Sequence, residues 1–118
     1  VVETRSHSAL VSSRTTRLSS RAQRSRIAIA EATRLAKACV VQIDAVPRRP
    51  EAMAQLQALE QQLSPALKDA FVLSVAAQAD IRAAMEAGAK AKDLAASLAA
   101  SRRLYTVIAE WGERLLTQ

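Results

Sequence analysis

Four arginines carry the most distinctive spacing in the chain. Arg14, Arg17, Arg21 and Arg24 are separated by three, four and three residues. On an α-helix this places all four on one face. No acidic residue follows until Glu31, and Arg5 and Arg26 add charge nearby. A row of guanidinium groups could follow a phosphate backbone, an anionic membrane surface or an acidic protein groove. The plainest expectation is a solvated flank of a coiled-coil-like helix, held by glutamates on a partner. The next is a binding face for an acidic or helical protein. Nucleic acid ranks lower, because no aromatic residue precedes Phe71 to offer a stacking platform. No helix-turn-helix or ribbon pattern accompanies the arginines either. A membrane surface ranks lowest, because the helix lacks a Trp-, Phe- or Leu-rich insertion face beside them.

Catalytic chemistry finds few residues to work with. His7 is the only histidine and Cys39 the only cysteine. In one helix their separation of 32 residues is roughly 48 Å, so they form no nucleophile–base pair. The acids are scattered singly. Glu110 and Glu113 are the closest helical pair, and beside Arg114 they read as a solvated face. Metal centres want several His, Cys or carboxylate groups converging, and no such spacing occurs. Two glycines, Gly88 and Gly112, cannot build a phosphate-cradling loop. The expectation is a protein that is not an enzyme and carries no cofactor or metal.

Two aromatic residues remain. Tyr105 and Trp111 lie six apart, on adjoining parts of one helix face, with Arg102 and Arg103 just before them. Core packing is the first reading. The second is an anchor at a partner interface, where Trp, Tyr and Arg are over-represented. Cys39 reads as a small buried residue.

The elements that position these residues follow from composition. The chain has 118 residues, which fits one domain. It holds 26 Ala and 13 Leu against 9 Val, 5 Ile and three aromatics. Ala and Leu are strong helix formers, whereas strands want β-branched and aromatic residues. An all-α fold is therefore expected. Ala buries little area, so the core should be thin, and burial against a second copy would compensate. Residues 1–50 hold ten Lys/Arg against three Asp/Glu, whereas residues 51–118 hold seven against eight. The net charge of +6 thus lies in the first helical region.

Along residues 8–46, Ser25, Ala32 and Cys39 alternate with Ala22, Ile29, Ala36 and Ile43 at spacings of four and three. That is the seam of a coiled-coil-like helix, firm after Ile29 and weak before Ala22. Residues 1–7 are expected to fray. Pro47 and Pro50 end this helix and start the next. The second helix is expected over residues 50–87, with Leu56, Leu59, Leu63, Leu67, Val75, Ile81 and Met85 among its apolar positions. Pro65, after Ser64, predicts a kink or a full break. Gly88 reads as a helix C-terminus, and Asp93 as the cap of a last helix over residues 90–117. The expected architecture is an antiparallel up-down-up bundle of three long helices, with a four-helix variant if Pro65 is a full break.

The function expected from this is a non-catalytic helical interaction or dimerisation module. The chain starts at Val1, and a fragment of a larger bacterial regulatory or signalling protein is expected. The Arg/Ser-rich heptads of residues 8–40 resemble linker helices between signalling domains. Expected partners are a second copy or another helical or acidic protein. The alternatives are a ligand-sensing helical bundle of a receptor and a nucleic-acid-associated protein using the arginine row. The lone thiol fits a reducing compartment, so a cytoplasmic location is expected.

Overall fold

The computed structural model describes the backbone of residues 2–118 and the side chains of residues 20–118. Within these residues the chain is α-helical apart from short turns, with no strand. Four helices pack on one another: α1 Val2–Ala45, α2 Ala52–Ala70, α3 Val75–Ala89 and α4 Leu94–Leu116. α1 is helical from Val2, so residues 2–7 join the helix expected to start near residue 8, and of the stretch expected to fray only residue 1 lies outside the described backbone.

The three similar rods expected from the sequence are instead four helices of unequal length. At about 1.5 Å per residue, α1 with its 44 residues is roughly 66 Å long, and α3 with its 15 roughly 22 Å. The division of the middle segment also lies elsewhere than expected. Pro65 sits inside α2, which continues through it. Its ring removes one backbone bond, to the carbonyl of Gln61. Gln61 is exposed, so water can take that bond. Leu63 is buried just before the proline and Leu67 is half-buried just after it, so packing holds the helix on both sides.

The chain turns instead at Phe71–Ser74. Phe71 is buried and leaves helical geometry at φ −112° and ψ 20°. Its carbonyl accepts from the Ser74 backbone N–H at 3.1 Å and from Gln78 Nε2 at 2.6 Å. Ser74 then caps α3, its hydroxyl accepting from the Ala77 N–H at 3.2 Å. Ser74 and Gln78, four residues apart, thus each take up a backbone group that the break leaves free.

The other ends lie near their expected places. Pro47 and Pro50 occupy the turn between α1 and α2. The C-cap of α3 is Lys90, whose N–H reaches the Ala87 and Gly88 carbonyls. Asp93 caps α4, its Oδ1 accepting from the Ala96 N–H at 2.7 Å.

α1 packs on α2 and on α4, whereas α3 packs on α4 alone. The α1 seam explains this arrangement. Ser25, Ile29, Ala32, Ala36, Cys39 and Ile43 are all buried, and Leu35 and Thr33 are buried beside them. One side of this stripe meets α2, where Ser25 Oγ donates to the Ala70 carbonyl at 3.2 Å. The other side meets α4 along Arg26–Leu116, Thr33–Gly112 and Asp44–Arg102, a falling against a rising number, so these two helices run antiparallel. Leu35, Cys39, Leu63 and Ile108 are the largest side chains wholly removed from solvent. Val75 and Met85, counted among the apolar positions of a long second helix, are instead 81% and 54% exposed.

Candidate interaction surface

α2 and α3 are joined by a short turn, yet their backbones do not pack against each other. Between them lies a cleft of about 600 Å³. Leu67 and Phe71 from α2 and its cap form one wall, and Ile81 and Met85 from α3 form the other. The rim is charged, with Lys68 on α2 and Arg82 and Glu86 on α3. Beside the closed end, Val72, Leu73 and Val75 are exposed. None of these three lines the cleft, and Leu73 faces a separate hollow with Ile29 and Leu115.

The physical reason for the cleft is visible in α3. Its buried side chains, Ala77, Ile81 and Ala84, face the bundle at the helical spacing of three and four. Two of these three are alanines, which let α3 lie close to α4 but reach no further toward α2. The latch to α4 is polar as well. Trp111 Nε1 donates to Asp80 Oδ2 at 2.8 Å, and the Arg114 guanidinium lies 4.5 Å from the centre of the indole ring. Such a cation over an aromatic face contributes on the order of 0.5–1 kcal/mol at an exposed site.

Trp111 therefore joins α3 to α4 within this chain. Tyr105 is buried, and its hydroxyl donates to Glu60 Oε2 on α2. Burial, then the hydrogen bond to the Glu60 carboxylate, raise its pKa well above the usual phenol range. The two aromatics thus serve different seams, one between α4 and α2 and the other between α4 and α3. A second cleft, of about 480 Å³, lies between α3 and α4, lined by Asp80, Arg103, Glu110, Trp111 and Arg114 over an alanine floor.

Of the arginine row, Arg21 and Arg24 are exposed. Arg14 and Arg17 lie outside the residues whose side chains are described. Arg26 has a structural partner: its guanidinium donates to the Leu116 carbonyl at 2.8 Å, one of the free carbonyls that end α4. Further along α1, Asp44 accepts from Arg102 Nε at 2.7 Å and from its Nη2 at 3.0 Å. This two-pronged hydrogen bond, and the charge of Arg102, hold the Asp44 carboxyl below its usual range. Lys37 pairs with Glu113. All four residues of these pairs are exposed, so each pair sets register more than stability.

Cys39 is buried in the core, and burial, then the nearby Glu60 charge, push its thiol up to about 11. A protonated, enclosed thiol is a poor nucleophile and a poor metal ligand. Among the described residues no three His, Cys, Asp or Glu side chains gather where a metal ion could sit. Among the same residues no helix is long and apolar enough to cross a membrane.

The cleft between α2 and α3 is what the sequence did not point to. Its residues alternate with buried ones on a helical period, so they resemble any core stripe until the break at Phe71–Ser74 is known. The available signal was Ser74, a capping residue inside the otherwise apolar run Phe71–Val75. No protein-family model matches this chain, and comparison with curated proteins and with solved structures finds no similar protein.

Proposed function

We propose that this chain is a non-catalytic helical module for protein–protein interaction and dimerisation, part of a bacterial regulatory or signalling protein working in the cytoplasm. The observation that carries this reading is the apolar cleft between α2 and α3, with Met85 exposed in its wall. Covering apolar surface returns about 25 cal/mol per Å², so a partner helix laid there would gain binding energy from the exposed Met85 and the half-buried Leu67, Phe71 and Ile81 being already buried in the chain itself. The exposed Arg21 and Arg24 would favour a partner with acidic flanks.

The experiment combines light scattering across concentration with capture of protein partners by the full chain. Association with a second copy or a specific protein is expected. Replacing Arg14, Arg17, Arg21 and Arg24 with Gln should weaken capture of an acidic partner and leave the helical circular dichroism signal intact. A chain that stays monomeric and captures no protein sinks this reading.

A second reading, a ligand-sensing helical bundle of a receptor, draws support from the cleft between α3 and α4. Its two guanidinium groups and indole face could hold a small anionic ligand. Thermal shifts with small anionic metabolites test it, and abolition of the shift by Arg103→Gln would favour it.

A further inference from the structure

We infer that a second copy of this chain fills the α2–α3 cleft, with the two α3 helices crossing antiparallel and Arg82 of each copy facing Glu86 of the other. This rests on reading the chain as an interaction module and names its surface.

α3 turns one continuous face to the cleft. Gln78, Arg82, Met85, Glu86 and Ala89 all line it. Their spacing of four, three, one and three is one stripe of a helix. Arg82, Met85, Glu86 and Ala89 are exposed. The stripe thus has an apolar centre at Met85 flanked by one cation and one anion.

Next comes the charge. Among the described residues Lys68, Arg82 and Glu86 form no ion pair. Arg82 and Glu86 stand four residues apart, but with the cation on the N-terminal side, the weaker of the two orders for pairing along one helix. They are therefore free to pair outward. An Arg followed four residues later by a Glu is its own complement when read backward. Two α3 helices crossing antiparallel about the level of Ala84 bring Arg82 opposite Glu86 twice.

The α2 rim fits the same arrangement. The Gln78–Phe71 hydrogen bond sets the register of α3 against α2. Counting back three residues on α2 and forward three or four on α3 puts Lys68 level with Ile81 and Arg82. The second copy's Glu86 would then lie between two cations, Lys68 and Arg82. A symmetric interface of this kind is the commonest way for a soluble chain to self-associate. The second copy's Met85 would cover Met85, the exposed apolar side chain of the cleft wall.

The test is the oligomeric state of the full chain by light scattering or sedimentation equilibrium, with charge reversals. Wild type should dimerise. Arg82→Glu alone and Glu86→Arg alone should each weaken the dimer about tenfold or more, because each places like charges in apposition twice. The double variant, Arg82→Glu with Glu86→Arg, should bind more tightly than either single reversal but short of wild type, because Lys68 then faces a cation at position 86 of the second copy. Both residues are exposed in the single chain, so all three variants should melt at the wild-type temperature when measured at a concentration low enough that wild type is monomeric. A monomer at every concentration overturns the inference, even if the chain binds another protein. A dimer unchanged by either single reversal, or no tighter in the double variant than in the singles, also overturns it, while leaving the broader reading of an interaction module in place.

Discussion

The seam between α1 and α4 and the space between α2 and α3 are made of similar residues, yet one is closed and the other open. At the closed seam the backbones approach so far that Gly112 faces Thr33 with no room for a side chain. A Cβ added there would lie 1.8 Å from Thr33 Oγ1 and 3.0 Å from Thr33 Cβ. Thr33 is buried, and its hydroxyl is satisfied by the Ile29 carbonyl at 2.6 Å. In the open space, Leu67, Phe71, Ile81 and Met85 line a cavity of about 600 Å³, with Gln78 reaching the Phe71 carbonyl beside the turn. The difference teaches that apolar content does not close a seam. Small residues at the crossing point and satisfied polar groups beside it do.

The comparison can be broken most sharply by truncation. Leu35→Ala removes a wholly buried side chain, and should cost about 2–5 kcal/mol in a denaturant melt. Met85→Ala, in the cleft wall, should cost within about 0.5 kcal/mol, as surface changes do. Equal costs would mean that α3 is as well packed as the seam. Next in size is Gly112→Ala, which should destabilise by about 1–3 kcal/mol through overpacking. Adding Thr33→Ala should relieve most of that loss, since the clash is with Thr33 alone. Failure of the double variant to recover would move the strain elsewhere. At Gly88 the same substitution should act oppositely. An added Cβ would meet Ala100 Cβ at an ordinary 3.5 Å, and the backbone there has no positive φ. Gly88→Ala should therefore stabilise by up to about 1 kcal/mol through helix propensity.

The smallest effect at neutral pH belongs to Cys39, at the centre of the closed region. Its thiol is raised from 9.0 to about 11 by burial, so the folded chain holds the proton more tightly than the unfolded one. The stability this contributes is fully present below pH 9.0 and is lost as pH rises through about 11. The melting temperature of wild type should therefore fall more steeply over that range than that of Cys39→Ala. Parallel curves would contradict it. At neutral pH a thiol reagent should label Cys39 only as fast as the core opens.

Several elements were legible because their signals are local. The proline pair after Val46 stops α1, Asp93 caps α4, and the three-and-four spacing from Ser25 to Ile43 marks a face that is buried in the structure. The break in the middle of the chain was misplaced for a local reason too. Pro65 is the stronger helix breaker in isolation, and Ser64–Pro65 imitates a helix start. What overrode it was the burial of Leu63 on one side and the partial burial of Leu67 on the other, together with the caps around Phe71–Ser74. Tyr105 and Trp111 were legible as a pair on one helix face. That one would face Glu60 inside and the other Asp80 toward α3 depended on residues 45 and 31 positions away.

The sequence by itself determined the all-helical class, the apolar seam of α1 and the concentration of positive charge in the first fifty residues. These are properties of composition and of neighbours within one or two helical turns. Only the tertiary structure decided that α3 would lean on α4 through Ala84 and Trp111, leaving Met85 and Leu67 facing across a gap. Nothing within α3 could choose between α2 and α4. The choice was made by which partner offered a close approach and a satisfied hydrogen bond, and α4 offered both.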